Sequence, residues 1–193
     1  MDTFPEDLVA ADLTAAVAVV RTDEADPRYL ILQRAAHPND PWSGHLAFPG
    51  GRREATDAGL LATARRETWE ECRVDLAGVP GEALAPHRAG QAVGRSLWVQ
   101  PYLFRLPKPV AIVPCPREIA RGFWVPASEL CHHDHHDFAP MSRHMVDTLF
   151  PYVPIDDARL WGFTYHLAMT VLSDPSHRPA DCPDPPRLRP RQR

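Results

Sequence analysis

The 193-residue chain lacks several features that would assign it to a large class of proteins. It has no run of about 18 apolar residues, the length that a membrane-spanning helix needs. Its formal net charge is only -4, which predicts no general attraction to nucleic acid or to an anionic membrane. Acidic residues occur within positions 1–14, where a secretory signal would carry a basic region and an apolar core. We therefore expect a cytoplasmic protein whose partners include neither nucleic acid nor membrane.

The signatures of several common enzyme classes and of cysteine frameworks are missing as well. No P-loop, Gly-x-Ser-x-Gly elbow, His-Glu-x-x-His pair or dinucleotide fingerprint occurs. The chain contains no Cys-x-x-Cys pair, and its widely spaced cysteines are predicted to be reduced thiols without a chemical role: Cys72, Cys115, Cys131 and Cys182.

The length and composition favour one domain. The hydrophobic fraction of 44% is enough for one buried core, and we find no repeat or interdomain linker. The last residues are rich in proline and arginine and poor in apolar side chains. We predict a domain over residues 1–173 and a tail over residues 174–193 that is mobile or draped on the surface.

Hydrophobic patterning predicts alternating strands and helices. Strands are expected at 12–20, 28–34, 96–106 and 120–126, and a long shaped loop is expected at 39–57. Helices are expected at 58–72, at 127–131 as a short turn, and at 159–172. Thr56 or Asp57 is predicted to cap the first helix. This alternation is typical of an α/β fold.

The first predicted helix carries an unusual set of acidic residues. Glu67, Glu70 and Glu71 fall in one sector of the helix, where carboxylates three and four positions apart repel one another. One interpretation is a solvated acidic face. The other is a site for Mg²⁺ or Mn²⁺, because these cations prefer oxygen ligands and would remove the repulsion. Arg66 is expected to point elsewhere and to pair with Glu67 or a loop carboxylate.

The sequence around this helix favours the metal site. The segment GGRREATDAGLLATARRETWEEC, residues 50–72, resembles the Nudix box: a glycine, a spaced acidic residue, Arg-Glu, two further residues, and Glu-Glu. The Arg-Glu-x-x-Glu-Glu part is intact at residues 66–71. FWVP followed by SEL, at 123–130, is also similar to this family.

The resemblance implies a fold, a catalytic helix and a cofactor. The fold would be an α/β/α sandwich with a mixed central sheet, and the cofactor would be Mg²⁺ or Mn²⁺. The implied metal ligands are the carboxylates of Glu67, Glu70 and Glu71 and the backbone carbonyl of Gly50 or Gly51. Arg66 would be their structural partner.

Two positions next to the box leave questions open. Asp57 best matches the acidic residue before the helix, but its spacing from Arg66 leaves its role undefined. Arg73 stands where the family has a glycine, so a left-handed helix end is not ensured.

The implied reaction is hydrolysis of a diphosphate bond in a nucleoside diphosphate linked to another moiety. This reaction needs cations on the phosphate oxygens, an aligned water and a group that accepts the water's proton. Glu67 is one candidate base. Glu118 is another, because it directly precedes a predicted strand, although it could equally be an ordinary loop carboxylate.

The segment LILQRAAHPNDPWSGHLAFPGGR, residues 30–52, resembles the coenzyme A diphosphatase branch of the family, and so does RLWGFTYHL at 159–167. The guanidinium group of arginine can donate two hydrogen bonds to phosphate oxygens, and glycines allow the backbone to approach a ligand closely. Trp42 could stack on a base or simply pack in its loop. The predicted substrate contacts are Arg34, Trp42, Gly44, Phe48, Gly50, Gly51 and Arg52.

Other functions fit the same residues. A hydrolase of nucleoside triphosphates, ADP-ribose or dinucleotides would differ only in its pocket, and a nucleotide sensor would bind without cleaving. The expected partner is a small nucleotide, and the protein is expected to be a monomer or a homodimer. A second metal site in CHHDHHD, residues 131–137, competes with an exposed loop of adventitious metal affinity, and we favour the loop because its ligands are nearly contiguous.

Overall fold

A computed structural model describes residues 13–38, 42–90, 97–141 and 146–192. The described strands are β1 Leu13–Thr22, β2 Arg28–Arg34, β3 Leu46–Ala47, β4 Gly50–Arg52, β5 Gly81–Ala83, β6 His87–Ala89, β7 Leu97–Leu106, β8 Ile119–Pro126, β9 Asp137–Pro140, β10 Thr148–Ile155, β11 Ala158–Trp161 and β12 Arg191–Gln192. The described α-helices are α1 Leu60–Cys72, α2 Ala127–Cys131 and α3 Gly162–Leu172.

The central sheet contains parallel and antiparallel strands, and β1 and β2 separate over most of their length. β1 pairs in parallel with β7, whereas β2 pairs antiparallel with β8 along its length. β1 and β2 meet only at Arg21 and Tyr29, and short strands fill the gap beyond: β3 on β2 and β4 on β1. The amide of Ala18 donates to the carbonyl of Pro49 at 2.8 Å. The glycine-containing segment 48–51 is therefore held inside the sheet.

Helices cover both faces of this sheet. β1 and β2 carry apolar side chains on both faces, as expected for strands that are covered twice. On one face Ala18 and Leu30 pack with Ala64 and Cys72 of α1. On the other face Val19, Tyr29 and Ile31 form a core cluster with side chains from α2 and α3. The predicted α/β/α sandwich with a mixed central sheet is confirmed.

A second sheet stands beside the first. β10 pairs antiparallel with β9, β11 and β12. Asp156 and Asp157 form the two-residue turn between β10 and β11, and Asp156 adopts a positive φ of 54°. Aspartate tolerates this left-handed conformation better than most residues.

Several predicted boundaries are correct, and others need correction. The strand at 28–34 and the short helix at 127–131 are confirmed. The segment 39–57 is not all loop, since it contains β3 and β4. Residues 159–161 are strand, because they pair with β10 before α3 begins. The predicted strand starts at residues 12 and 96, and residues 39–41 of the loop, lie outside the described residues.

The segment after α3 packs against the domain. The Tyr29 hydroxyl donates to the carbonyl of His177 at 2.7 Å, and Arg21 donates to that of Ser176 at 2.7 Å. Arg178 donates to the carbonyl of Leu172 at 2.7 Å. The mobility of the tail and the division of the chain at residue 173 stay predictions.

Within the histidine-rich segment 131–137, the side chain of His136 is half-buried. Residues 133–135 form a single 3₁₀ turn, and His136 lies between the Tyr165 hydroxyl at 2.8 Å and the Leu130 carbonyl at 3.0 Å. A carbonyl only accepts, so Nε2 of His136 donates to Leu130 and Nδ1 accepts from Tyr165. This arrangement needs the neutral ring, and burial lowers the pKa of His136 to about 4.

The protein should therefore lose stability in mild acid through His136. The unfolded chain binds a proton near pH 6.5 and the folded chain only near pH 4, so stability falls as the pH drops through that window. We expect the melting temperature of His136→Gln to vary less between these pH values than that of the wild type. Thr170→Ser, which changes an exposed residue of α3 that does not titrate, should keep the wild-type slope.

Candidate active site

Helix α1 presents its acidic residues to the segment 48–51. Glu71 is only 5% exposed, and its carboxylate accepts from the amide of Gly50 at 3.0 Å. Burial raises the pKa of Glu71 to about 8, although the Gly50 amide opposes this shift. Burial also raises the pKa of Glu67, and the adjacent Arg66 opposes it. Both carboxylates are therefore held where a negative charge needs a cationic partner.

The two glycines allow this close approach. A Cβ atom at Gly50 would overlap the backbone of Ala16 and Val17 in β1. A Cβ atom at Gly51 would overlap the carboxylate of Glu67. Gly50 thus lets the segment enter the sheet, and Gly51 makes room for an acidic side chain.

Gly51→Ala should impair the site more than the fold. The added methyl group displaces the flexible end of Glu67, so we expect activity to fall about tenfold or more while the melting temperature changes by about 3 °C or less. Gly59→Ala is the matched control, since a Cβ at Gly59 meets nothing within 4 Å and its φ of 170° is ordinary extended backbone. Equal activity of the two variants would argue against a fixed position for Glu67.

Arg66 organises the acidic cluster, which comprises Glu67, Glu70 and Glu71. Its Nη2 lies 3.0 Å from Oε1 of Glu67, and its Nη1 lies 2.8 Å from Oε2 of Glu70. The sequence predicts that Arg66 points away from this sector of the helix. The guanidinium instead lies within that sector, where it makes the predicted pair with Glu67, also contacts Glu70, and thereby offsets the repulsion.

The same guanidinium makes a two-pronged contact with Asp57. Nε and Nη2 of Arg66 each lie 3.0 Å from one carboxylate oxygen of Asp57. Asp57 also accepts from the amide of Glu54 and the hydroxyl of Thr63, both at 2.9 Å. The role that the sequence left open is thus to anchor Arg66, and Arg66 in turn holds the pKa of Asp57 well below its usual range.

The predicted helix cap is wrong for the same reason. Gly59 occupies the N-cap position without a side-chain bond, because the Asp57 carboxylate is engaged by Arg66 and by its own turn. At the other end Arg73 adopts the left-handed conformation, with φ 59°, although it is not a glycine. Its guanidinium stacks 5.3 Å from the ring centre of Trp69.

Within residues 13–38, 42–90, 97–141 and 146–192, no three His, Cys, Asp or Glu side chains already form a group that could hold a metal ion. Glu67 and Glu70 are both engaged by Arg66. Three carboxylates and nearby backbone oxygens are nevertheless the donor set that Mg²⁺ and Mn²⁺ prefer. The residues fit such an ion if Glu70, whose side chain is 50% exposed, turns away from Arg66.

Two more predicted site residues come close to the cluster. Arg34 ends β2 and pairs in register with Ile119, and the amide of Ala35 donates to the carbonyl of Glu118 at 2.8 Å. The charges of Arg34 and Glu118 both act on Glu71, the first lowering and the second raising its pKa. Residues far apart in sequence are thus gathered at one end of β2.

The remaining predicted contacts lie around the same segment. Gly44 accepts through its carbonyl from Gln33 at 3.4 Å, and Arg52 accepts through its carbonyl from Arg66 at 3.1 Å. Trp42 is half-buried. Phe48 is only 3% exposed and packs in the core, which is a structural position for its side chain. Direct contact of these residues with a substrate stays a prediction.

An open surface pocket of about 430 Å³, called the cavity below, lies beside Gly44, and no motif in the sequence predicts it. It is lined by Gln33, Gly44, His45, Pro140, Met141, Asp157, Ala158, Arg159 and Trp161. Separate stretches of chain contribute, and no local motif marks them. Trp161 is only 9% exposed and forms part of the cavity wall.

A family model for the NUDIX domain matches residues 12–149. The chain therefore belongs to the Nudix family. The match contains α1 and its acidic cluster, whereas β11 and α3 lie beyond it.

Relatives and solved structures agree with this family. The chain is 27% identical over 158 residues to an uncharacterized Nudix hydrolase, NudL, of Photorhabdus laumondii, covering 78% of each chain. It is 50% identical over 50 residues to an uncharacterized protein of Schizosaccharomyces pombe, covering 26% of this chain and 15% of that one. A crystal structure of a MutT/nudix family protein from Enterococcus faecalis has a TM-score of 0.59 at 17% identity, covering 92% of this chain and 68% of the other, and shows the shared fold.

No helix among the described residues is long and apolar enough to span a membrane.

Proposed function

We propose that the protein is a metal-dependent hydrolase that cleaves the diphosphate bond of a nucleoside diphosphate linked to another moiety, with coenzyme A as the favoured substrate. The observation that carries this proposal is the convergence of α1 carboxylates on the Gly50-Gly51 segment. Glu71 accepts from the Gly50 amide, and Glu67 lies against Gly51. Membership of the Nudix family supports hydrolysis of phosphorus anhydrides.

Glu67, Glu70 and Glu71 would hold Mg²⁺ or Mn²⁺, with the Gly50 carbonyl as a further ligand. When bound, such an ion neutralises charge on the phosphate oxygens and makes attack by water easier. The raised pKa values of Glu67 and Glu71 fit this role, since buried carboxylates without a cation hold their charge poorly.

The chain's own residues would position the substrate and move the proton. Arg34 and Arg52 would contact phosphate oxygens, for which guanidinium geometry is suited. Water attacks phosphorus, the phosphoanhydride P–O bond breaks, and Glu67 or Glu118 accepts the water's proton. Glu67 is favoured by its position in the acidic cluster against Gly51. Glu118 is favoured by its exposed position beside β2.

The coenzyme A assignment is supported by residues 30–52 and 159–167, which resemble that branch of the family. These two stretches meet in the structure, where β11 lies against β3 and the ring of Trp161 packs against that of His45. Nucleoside triphosphates, ADP-ribose and dinucleotides are the alternative substrates. A cytoplasmic location and a monomeric or homodimeric state stay predictions.

Product analysis by liquid chromatography and mass spectrometry tests the function. Purified protein with Mg²⁺ or Mn²⁺ is offered coenzyme A, ADP-ribose, NADH, dinucleoside polyphosphates and nucleoside triphosphates. Release of 3′,5′-ADP and phosphopantetheine from coenzyme A alone supports the full proposal. Cleavage of a different compound keeps the hydrolase and refutes the substrate, whereas tight binding without any cleavage indicates a nucleotide sensor.

A further inference from the structure

We propose that the cavity beside Gly44 binds an anionic group of the substrate that lies outside the diphosphate, with Arg159 as its cation and Arg121 as a positioning residue. The chemistry fits a phosphate monoester on the ribose of the nucleotide. This inference rests on the proposed function, because it concerns the other end of the same substrate.

The lining of the cavity is suited to a polar, negatively charged ligand. The guanidinium of Arg159 offers hydrogen-bond donors, and Trp161 provides one aromatic wall. The only acidic side chain among the lining residues is Asp157, and it is neutralised by an ion pair with Arg121. Asp156 and Asp157 both pair with Arg121, so the guanidinium of Arg159 is the cation that a ligand entering the cavity would meet.

Arg159 is held in place without a carboxylate partner. Its guanidinium stacks over the ring of Tyr152, 4.8 Å from the ring centre, and the side chain is exposed at the cavity. Throughout the part of the chain that the structure describes, no ion pair involves Arg159. A stacked arginine with unused donors is well suited to bind phosphate oxygens.

Arg121 fixes the wall that carries Arg159. It donates to the side-chain oxygen of Gln33 at 2.8 Å and to Asp156 at 2.7 Å, and it also pairs with Asp157. Gln33 in turn donates to the carbonyl of Gly44. Arg121 therefore connects the β10–β11 turn directly to β2 and, through Gln33, to the segment before Phe48. The turn, β2 and this segment form the sides of the cavity.

The end of β2 lies between the cavity and the acidic cluster, which are on opposite faces of the sheet. Gln33 and Arg34 are consecutive in β2, so their side chains leave on opposite faces of the sheet. Gln33 lines the cavity, whereas the charge of Arg34 acts on Glu71. A substrate whose diphosphate contacts the Arg34 side would reach the cavity by passing around the end of β2.

Isothermal titration calorimetry with 3′,5′-ADP and 5′-AMP tests the proposal. These two nucleotides differ only in the ribose phosphate, and binding can be measured without turnover. We expect the wild type to bind 3′,5′-ADP about tenfold or more tightly than 5′-AMP, and Arg159→Gln to reduce that ratio to about one. Arg121→Gln should also reduce the ratio, a change that general destabilisation would not cause, because it would weaken both ligands alike.

Arg28→Gln is the matched control, since Arg28 begins β2 at the end away from Arg34 and is exposed. It should keep the wild-type ratio. An unchanged ratio in Arg159→Gln, or no preference for 3′,5′-ADP in the wild type, overturns the proposal. Hydrolysis of coenzyme A together with an unchanged ratio would refute the cavity assignment alone, whereas a lost ratio without hydrolysis of any compound would refute only the proposed reaction.

Discussion

Glu71→Gln and Glu70→Gln should each lower the turnover number by about 100-fold or more while leaving the fold intact. The amide keeps the shape of the carboxylate, and at position 71 the oxygen of the new side chain could still accept from the Gly50 amide. What each variant loses is the negative charge that would bind a divalent cation. Glu71 is buried and holds its charge poorly at neutral pH without a cation, so its replacement by a neutral group should not reduce the melting temperature.

Steady-state kinetics with Mg²⁺ and binding of Mn²⁺ followed by electron paramagnetic resonance measure the two consequences. Glu82→Gln is the control, because the Glu82 side chain is 62% exposed on β5 and pairs with Arg105 at 4.0 Å. Both variants should bind Mn²⁺ more weakly than the control. Near-normal turnover in Glu70→Gln and Glu71→Gln would remove the acidic cluster from the reaction.

Breaking the pair between Asp57 and Arg66 should be the most destabilising change at the site. The Asp57 side chain is only 5% exposed and that of Arg66 only 20%, so each single replacement leaves a poorly solvated partner. We expect Asp57→Asn and Arg66→Gln each to reduce the free energy of unfolding by about 3 kcal/mol. In a chain of this length such a loss lowers the melting temperature by about 6–12 °C.

A double-mutant cycle separates this pair from its surroundings. The double variant should lose clearly less than the sum of the two single losses, since neither partner is then left alone. The exposed pair of Glu24 and Arg28, at 3.7 Å, is the control and should show coupling of about 0.5 kcal/mol or less. Additive losses at Asp57 and Arg66 would show that they stabilise the protein independently.

The ion pair between Asp57 and Arg66 also predicts how the stability of the protein changes at low pH. Arg66 lowers the pKa of Asp57 in the folded protein, so this contribution is present above the usual aspartate pKa of 3.8 and is lost as the pH falls below it. The acid unfolding curve of Asp57→Asn should therefore be flatter than that of the wild type at low pH.

Elements whose own residues determine their structure could be predicted from the sequence. The strand at 28–34 is apolar throughout its centre, and the helix at 127–131 follows a proline, so both could be placed from their own residues. β3 and β4 could not, because they contain two and three residues and exist only where β1 and β2 separate. Residues 159–161 have a helical apolar pattern, yet pairing with β10 makes them strand.

The same distinction applies to the site. Glu67, Glu70 and Glu71 share one helix, so their grouping follows from helical spacing alone. The anchoring of Arg66 by Asp57 depends on a turn that folds back against the helix, and spacing within the sequence gives no measure of that distance. The cavity near Gly44 is formed by segments more than about a hundred residues apart, which no local motif can reveal.

The parallel pairing of β1 with β7 has a consequence for how the chain folds. Ala18 faces Tyr102, so the central strand finds its main partner only after a loop of more than eighty residues has closed. Closing such a loop costs entropy before any contact compensates for it, and high contact order slows folding. The ribosome must therefore release β7 before β1 is protected on both edges, and pulsed hydrogen exchange should show the amides of these two strands becoming protected together.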